Sequence, residues 1–236
     1  PHQPGSTIFN NAAQIAPYLP AQRNPAVSYV TLADYGRYDI SQLEPCDGTS
    51  IDGVRACFFR KDRKAVLEFC RQILARGYLL YVQPVDILGY SDEELLDLIR
   101  DVNELHPFAL STVDTFGSMY PEDLQRVFSL IHHNLDPRIN MGFHSHNNLQ
   151  MSFALSQEFV RLTQGRRNIV VDATMCGMGR GAGNTNTELM ASFLNTHQKA
   201  HYDLDVLLDV ADNYMDGLRS RCEWGYSIPY FLAGVQ

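Results

Sequence analysis

The sequence predicts an α/β protein whose parallel sheet closes into a (β/α)8 TIM barrel. Three observations carry that expectation. Short β-branched apolar segments alternate with longer stretches of helical period. The strand-like segments start every 26 to 30 residues, at 27–33, 53–59, 79–85, 108–114, 138–143 and 168–174. Polar and glycine-rich residues then follow strand after strand at the C-terminal end: Gln83 and Asp86, Asp114, His144 and His146, and the loop from Gly177. A parallel neighbour requires a crossover helix, which the alternation supplies, although an open doubly wound sheet would also satisfy that requirement. The rim favours the barrel, because a barrel gathers functional residues from many strands on one face while an open sheet uses one or two switch points. Six visible strands fall short of the eight that a closed barrel needs.

Taken in order, residues 1–24 have no clear period and stay unassigned. A helix at 63–75 follows the second visible strand. After the third, Leu95, Leu98, Ile99, Val102 and Leu105 mark one helical face, and Ser91 with Glu94 fits a capping box. Leu124, Val127, Phe128 and Ile131 mark the next helix, with Pro121 suited to its first turn. Helices are expected at 148–162 and 185–194, the latter opened by a second capping box from Thr185 and Glu188. A further helix is expected at 203–218. Residues 1–200 are therefore read as the barrel domain and 201–236 as a C-terminal helical extension packed on it.

Composition excludes several classes of function. At 236 residues, with 45% hydrophobic and 19% charged residues, the chain can bury one large core. A formal net charge of -8 argues against nucleic acid or an anionic membrane surface as the main partner. No apolar run approaches the roughly 20 residues that span a bilayer, and no leader pattern opens the chain, so a cytoplasmic location is expected. Five cysteines with no Cys-x-x-Cys pair fit reduced thiols better than a disulfide framework.

Two motifs carry chemistry. In Gly142-Phe143-His144-Ser145-His146-Asn147-Asn148-Leu149, the histidines are two residues apart at a strand end, so both imidazoles lie on one face and can reach a single point. For an arbitrary His-x-His pair, one buried and one surface histidine in a loop would be the commoner arrangement. The second motif, Met175-Cys176-Gly177-Met178-Gly179-Arg180-Gly181-Ala182-Gly183-Asn184, lies between the last strand and a helix. Glycines there allow close backbone approach to a ligand, and a helix N-terminus favours a carboxylate or phosphate, although a tight turn with no ligand would read similarly.

Together the two motifs resemble the metal-dependent aldolase and lyase family built on a TIM barrel, which includes 4-hydroxy-2-oxovalerate aldolases, 3-hydroxy-3-methylglutaryl-CoA lyases and isopropylmalate synthases. The resemblance covers 27–194 and makes the six visible strands the third to eighth of the barrel. It implies that His144, His146 and Asn184 form the site of a divalent metal, Mn2+ or Mg2+. It places Gly179, Arg180, Gly181 and Asn148 near the substrate. It places Asp114 at the end of the sixth barrel strand facing the site, as a catalytic-site carboxylate that orients a metal-bound water or a ligand histidine; a strand-end aspartate capping the next turn is the competing reading. Tyr226 and Tyr230, in Trp224-Gly225-Tyr226-Ser227-Ile228-Pro229-Tyr230, resemble an aldolase segment whose tyrosine lies near the substrate. That makes them candidates for the base that takes the substrate's C4 hydroxyl proton, unless that base lies on the first strand; packing beneath an extra C-terminal helix is the competing reading. The family's Asp-Arg pair on the first strand has no counterpart here, and an N-terminal portion that is lost or unseen is expected. Asn147-Asn148-Leu149 and the glycine loop are similar to the aldolase pattern. The resemblance thus implies an aldolase that cleaves a 4-hydroxy-2-oxo acid to pyruvate and an aldehyde through a metal-stabilised enolate. An acyl-CoA lyase or Claisen-type acyltransferase, or a non-catalytic barrel, is the alternative. Homodimers, a further C-terminal domain and a dehydrogenase partner are also implied.

Overall fold

The structure, a computed structural model, describes residues 3 and 5–235. Six parallel strands form one sheet in chain order: β1 (Val30–Asp34), β2 (Gly53–Phe58), β3 (Leu79–Pro84), β4 (Ala109–Asp114), β5 (Asn140–Ser145) and β6 (Ile169–Val171). Each overlaps an expected strand; β2, β3, β4 and β6 lie within theirs, β1 runs one residue beyond its segment and β5 two, which takes His144 and Ser145 into the strand. Between them run α1 (Val66–Ala75), α2 (Asp92–Leu105), α3 (Pro121–Asn134) and α4 (Ser152–Thr163), followed by α5 (Thr187–Gln198), α6 (Leu204–Val210), α7 (Asp216–Arg219) and α8 (Ile228–Val235). Among the described residues, no helix is long and apolar enough to cross a membrane.

Alternation along each strand separates two environments. Val54, Ala56 and Phe58 of β2, Leu80 and Val82 of β3, Leu110 of β4, and Met141 and Phe143 of β5 join the core beneath the helices. Their neighbours one residue away face the concave side. The register Leu32–Arg55–Tyr81–Ala109–Asn140 runs across five strands, so these residues line one inner layer. β1 and β6 are the two edges of this sheet, and the inner-face Leu32 of β1 is 57% exposed. Aromatic packing anchors the strand that carries the histidines: Phe143 stacks on Phe159 of α4 at 5.3 Å between ring centroids.

The Ser91–Glu94 capping box forms in both directions, and Pro121 occupies the first turn of α3 as its fixed φ favours. The Thr185–Glu188 box does not form. α5 starts at Thr187, two residues later than expected, so Glu188 falls at the second rather than the third helical position. Thr185 is instead buried, its hydroxyl 3.0 Å from Ser156 Oγ, and Glu188 accepts from the Cys176 amide at 3.1 Å. The helix expected over 203–218 is divided by a π-helical stretch, Ala211–Met215. α8 lies outside the expected helices and contains Tyr230.

Candidate active site

Strand register brings the site together at the C-terminal rim of β5 and β6. Val113 pairs with His144 and Asp114 with Ser145, so His144 points to the inner face and Ser145 to the helix side. His146 lies just beyond β5, held by its amide to the Asp114 carbonyl at 3.1 Å and by an isolated antiparallel bridge to Asn184. The two imidazoles stand 5.1 Å apart between centroids and nearly perpendicular, at 80°. His144 Nδ1 lies 2.9 Å from Asp172 Oδ2, which leaves Nε2 as the nitrogen available to a ligand. Burial pushes the pKa of His146 down to about 4, and the neighbouring His144 and Arg180 push the same way, against the favourable backbone acceptors of Arg180 and Gly183. His146 is therefore neutral at neutral pH, the form that binds metals.

Asn184, bridged to His146 through the backbone, carries a buried side-chain amide. Its Nδ2 donates to the Met178 carbonyl at 2.9 Å, while its Oδ1 is buried with no hydrogen-bond partner. A buried unpaired acceptor costs about 1–3 kcal/mol unless something satisfies it. The glycine loop is shaped around this amide. A Cβ at Gly179 would sit 2.2 Å from Asn184 Nδ2, and one at Gly183, where φ is +90°, would sit 2.0 Å from the Gly177 carbonyl oxygen. Only glycine fits at these two positions. Among the described residues, no set of three or more His, Cys, Asp or Glu side chains is arranged to hold a metal ion. Two imidazole nitrogens and an orphaned amide oxygen are of the donor types that suit a divalent cation with open positions.

The remaining expected residues divide by what they touch. Asp114 does not face the site as expected: it is buried on the face opposite His144, where its carboxylate accepts from the Ser118 amide at 2.9 Å, capping the next turn, and from Ser145 Oγ at 3.0 Å. It thus ties the turn after β4 to the strand carrying the histidines. Burial raises its pKa to about 6, outweighing those hydrogen bonds. Asn148 is fully engaged as a staple: Nδ2 donates to the Phe116 carbonyl at 2.9 Å and Oδ1 accepts from the Ala182 amide at 3.0 Å. Gly181 leaves room for it, since a Cβ there would lie 2.7 Å from Asn148 Oδ1. Arg180 is exposed on the loop near His146. Tyr226 is 59% exposed and Tyr230 half-buried, while their neighbour Trp224 reaches the loop, donating from Nε1 to the Cys176 carbonyl at 2.9 Å.

Two functional candidates escaped the sequence reading. Asp172 follows β6 at the same rim, and Arg55 sits on the inner face of β2; their side chains form an ion pair. Burial works against the ionised Asp172, but the hydrogen bond from His144 and the Arg55 charge prevail and hold its carboxyl below its ordinary pKa. The signal for Asp172 was available, since it ends a strand as Asp114 does. Nothing local marked Arg55.

This architecture has counterparts among known proteins. The family model described as HMGL-like matches residues 54–213, from β2 through both motifs and into the helices beyond β6. The chain belongs to the HMGL-like family. It is 29% identical over 189 residues to the oxaloacetate decarboxylase of Mycobacterium tuberculosis, covering 79% of this chain and 54% of that protein. It is 31% identical over 124 residues to the 4-hydroxy-2-oxovalerate aldolase of Pseudoalteromonas translucida, covering 52% of this chain and 35% of the aldolase. This HMGL-like chain thus spans about half the length of the first relative and about a third of the second. Among solved structures, the N-terminal domain of a putative aldolase from Bacteroides vulgatus superposes with a TM-score of 0.71 at 22% identity, covering 87% of this chain and 67% of that one. The hydroxymethylglutaryl-CoA lyase of Pseudomonas aeruginosa gives 0.64 at 15%, covering 84% and 72%. At such identities the likeness speaks for the fold: β1 to β6 and their helices follow the TIM barrel of the HMGL-like proteins.

Proposed function

We propose that this HMGL-like chain belongs to a divalent-metal-dependent lyase that breaks a carbon–carbon bond next to a 2-oxo acid, as an aldolase releasing pyruvate and an aldehyde from a 4-hydroxy-2-oxo acid. The observation that carries this reading is the unpaired, buried Oδ1 of Asn184, on the residue bridged through its backbone to His146, whose ring stands 5.1 Å from that of His144. His144 through Nε2, His146 and Asn184 Oδ1 would hold the cation, Mn2+ or Mg2+. When bound, it supplies Lewis acidity for the negative charge that develops on the 2-oxo acid. The neutral state of His146 keeps that nitrogen free of a competing proton down to a pH of about 4. The loop amides at Gly179 and Gly181 and the exposed Arg180 offer donors for a substrate carboxylate at the same rim. Cleavage takes the proton from the C4 hydroxyl and leaves the bonding electron pair of C3–C4 on the pyruvate half. Tyr226 or Tyr230 would have to move toward the rim to serve as that base.

A second reading is favoured by the relative with the larger coverage. Oxaloacetate decarboxylation also leaves an electron pair on C3 of a pyruvate unit, with CO2 departing in place of the aldehyde, so one donor set serves both. Pyruvate release from 4-hydroxy-2-oxovalerate and from oxaloacetate, each with added Mn2+, separates them. Absence of Mn2+ binding, or His144→Ala with unaltered Mn2+ affinity, would overturn the shared core of both readings.

A further inference from the structure

The inner face of the sheet holds an ion pair that neither motif contains. Arg55 projects from the middle of β2 and Asp172 stands one residue past β6, so the pair bridges strands four places apart in the sheet. Such a contact requires the sheet to curl and bring its inner faces together. Arg55 and His144 converge on one atom: the guanidinium and His144 Nδ1 both bond Asp172 Oδ2. The Asp172 amide continues the ladder to the Phe143 carbonyl at 2.9 Å, which fixes its backbone against the strand carrying His144. The Asp172 side chain is only 14% exposed and that of Arg55 21%, and Arg55 Nε is buried without a partner. A carboxylate placed there without a countercharge would be costly, and Arg55 provides it.

We infer that Arg55 and Asp172 form a positioning relay, in which Arg55 fixes the Asp172 carboxylate and Asp172 holds His144 as its Nδ1–H tautomer with Nε2 turned to the rim. The inference rests on the metal-site reading above and concerns how one of its ligands is aimed. A carboxylate oxygen only accepts, so the imidazole nitrogen facing it must carry the proton, and the other nitrogen keeps its lone pair outward. An imidazole with no such partner rotates about χ2 and exchanges tautomers, which weakens any ligand that needs one nitrogen in one place. Both are argued to act through His144, so both are positioning residues.

The test uses two readouts, one independent of metal. Long-range proton–nitrogen spectra of metal-free protein report the His144 tautomer, assigned by its loss in His144→Ala. The native protein should show Nδ1–H. An Nε2–H tautomer would overturn the relay whatever the metal result. In Arg55→Met/Asp172→Ala, which removes both charges together, the tautomer should become mixed and the dissociation constant for Mn2+ should rise about 10- to 100-fold. Arg55→Lys, which keeps the countercharge, should retain the tautomer and most of the affinity. If the double variant does not fold, the native spectrum and Arg55→Lys still decide. A double variant that keeps the Nδ1–H tautomer and native Mn2+ affinity refutes the relay. If the native protein shows Nδ1–H yet binds no Mn2+, the metal reading fails and the relay stands as a device that only orients His144.

Discussion

Asp114 and His146 respond to pH with opposite signs, and their effects on stability nearly cancel in the native chain. Burial raises Asp114 from 3.8 to about 6, so the folded state holds this proton more tightly than the unfolded chain. Its contribution is complete below the unfolded value and is lost as pH rises through about 6. Burial lowers His146 from 6.5 to about 4, so between those values the unfolded chain binds more protons than the folded one. Its contribution is complete above the unfolded value and is lost as pH falls through about 4. Each shift is about two units, and at about 1.4 kcal/mol per unit each group moves stability by about 3 kcal/mol. The perturbation is to remove one group at a time, as Asp114→Asn and His146→Ala. Urea unfolding in chelator-treated buffer across pH 4 to 7 gives each variant's stability minus that of the native protein. The Asp114→Asn difference should climb by about 3 kcal/mol as pH rises through that window, and the His146→Ala difference should fall by a similar amount. Differences that are flat within about 0.5 kcal/mol, or that slope the same way, would refute the assignment of both groups.

Other residues give sharper local tests. His144→Ala, His146→Ala and Asn184→Ala should each weaken Mn2+ binding by at least tenfold in calorimetry, and equal affinity in all three would remove them as ligands. Gly183→Ala combines a φ of +90° with a Cβ 2.0 Å from the Gly177 oxygen, so it should cost about 2–4 kcal/mol in urea unfolding and also weaken Mn2+ binding by displacing Asn184. Asn148→Ala orphans the buried Ala182 amide and should cost about 1–3 kcal/mol. Phe159→Ala unstacks Phe143 beneath the histidine strand and should cost about 3–5 kcal/mol while leaving Mn2+ affinity within a few-fold of native.

Much of the fold was legible because its signals are local and repeated. All six strands overlap their expected segments, only β1 and β5 running one and two residues beyond them, since β-branched runs at regular spacing are a local signal, and the box at Ser91 needed only two residues one turn apart. The second box failed for a non-local reason. Thr185 had a better partner in Ser156 of α4, and its burial delayed the start of α5. The roles of Asn148 and Asp114 were equally hidden, because a side-chain amide or carboxylate satisfies whichever backbone groups the loops bring within reach, and those belong to segments about 30 residues away or to the following turn.

The chain alone thus determined a parallel sheet, the pairing of His144 with His146 on one face, and a glycine loop built for close approach, because periodicity and missing Cβ atoms are written residue by residue. Tertiary structure alone decided which groups stand around the two histidines. Arg55 and Asp172 are 117 residues apart in sequence and meet because the sheet curls, and Asn184 is left with an unpaired oxygen because the loop folds back onto His146. Such contacts depend on how strands close in space, which no local pattern encodes.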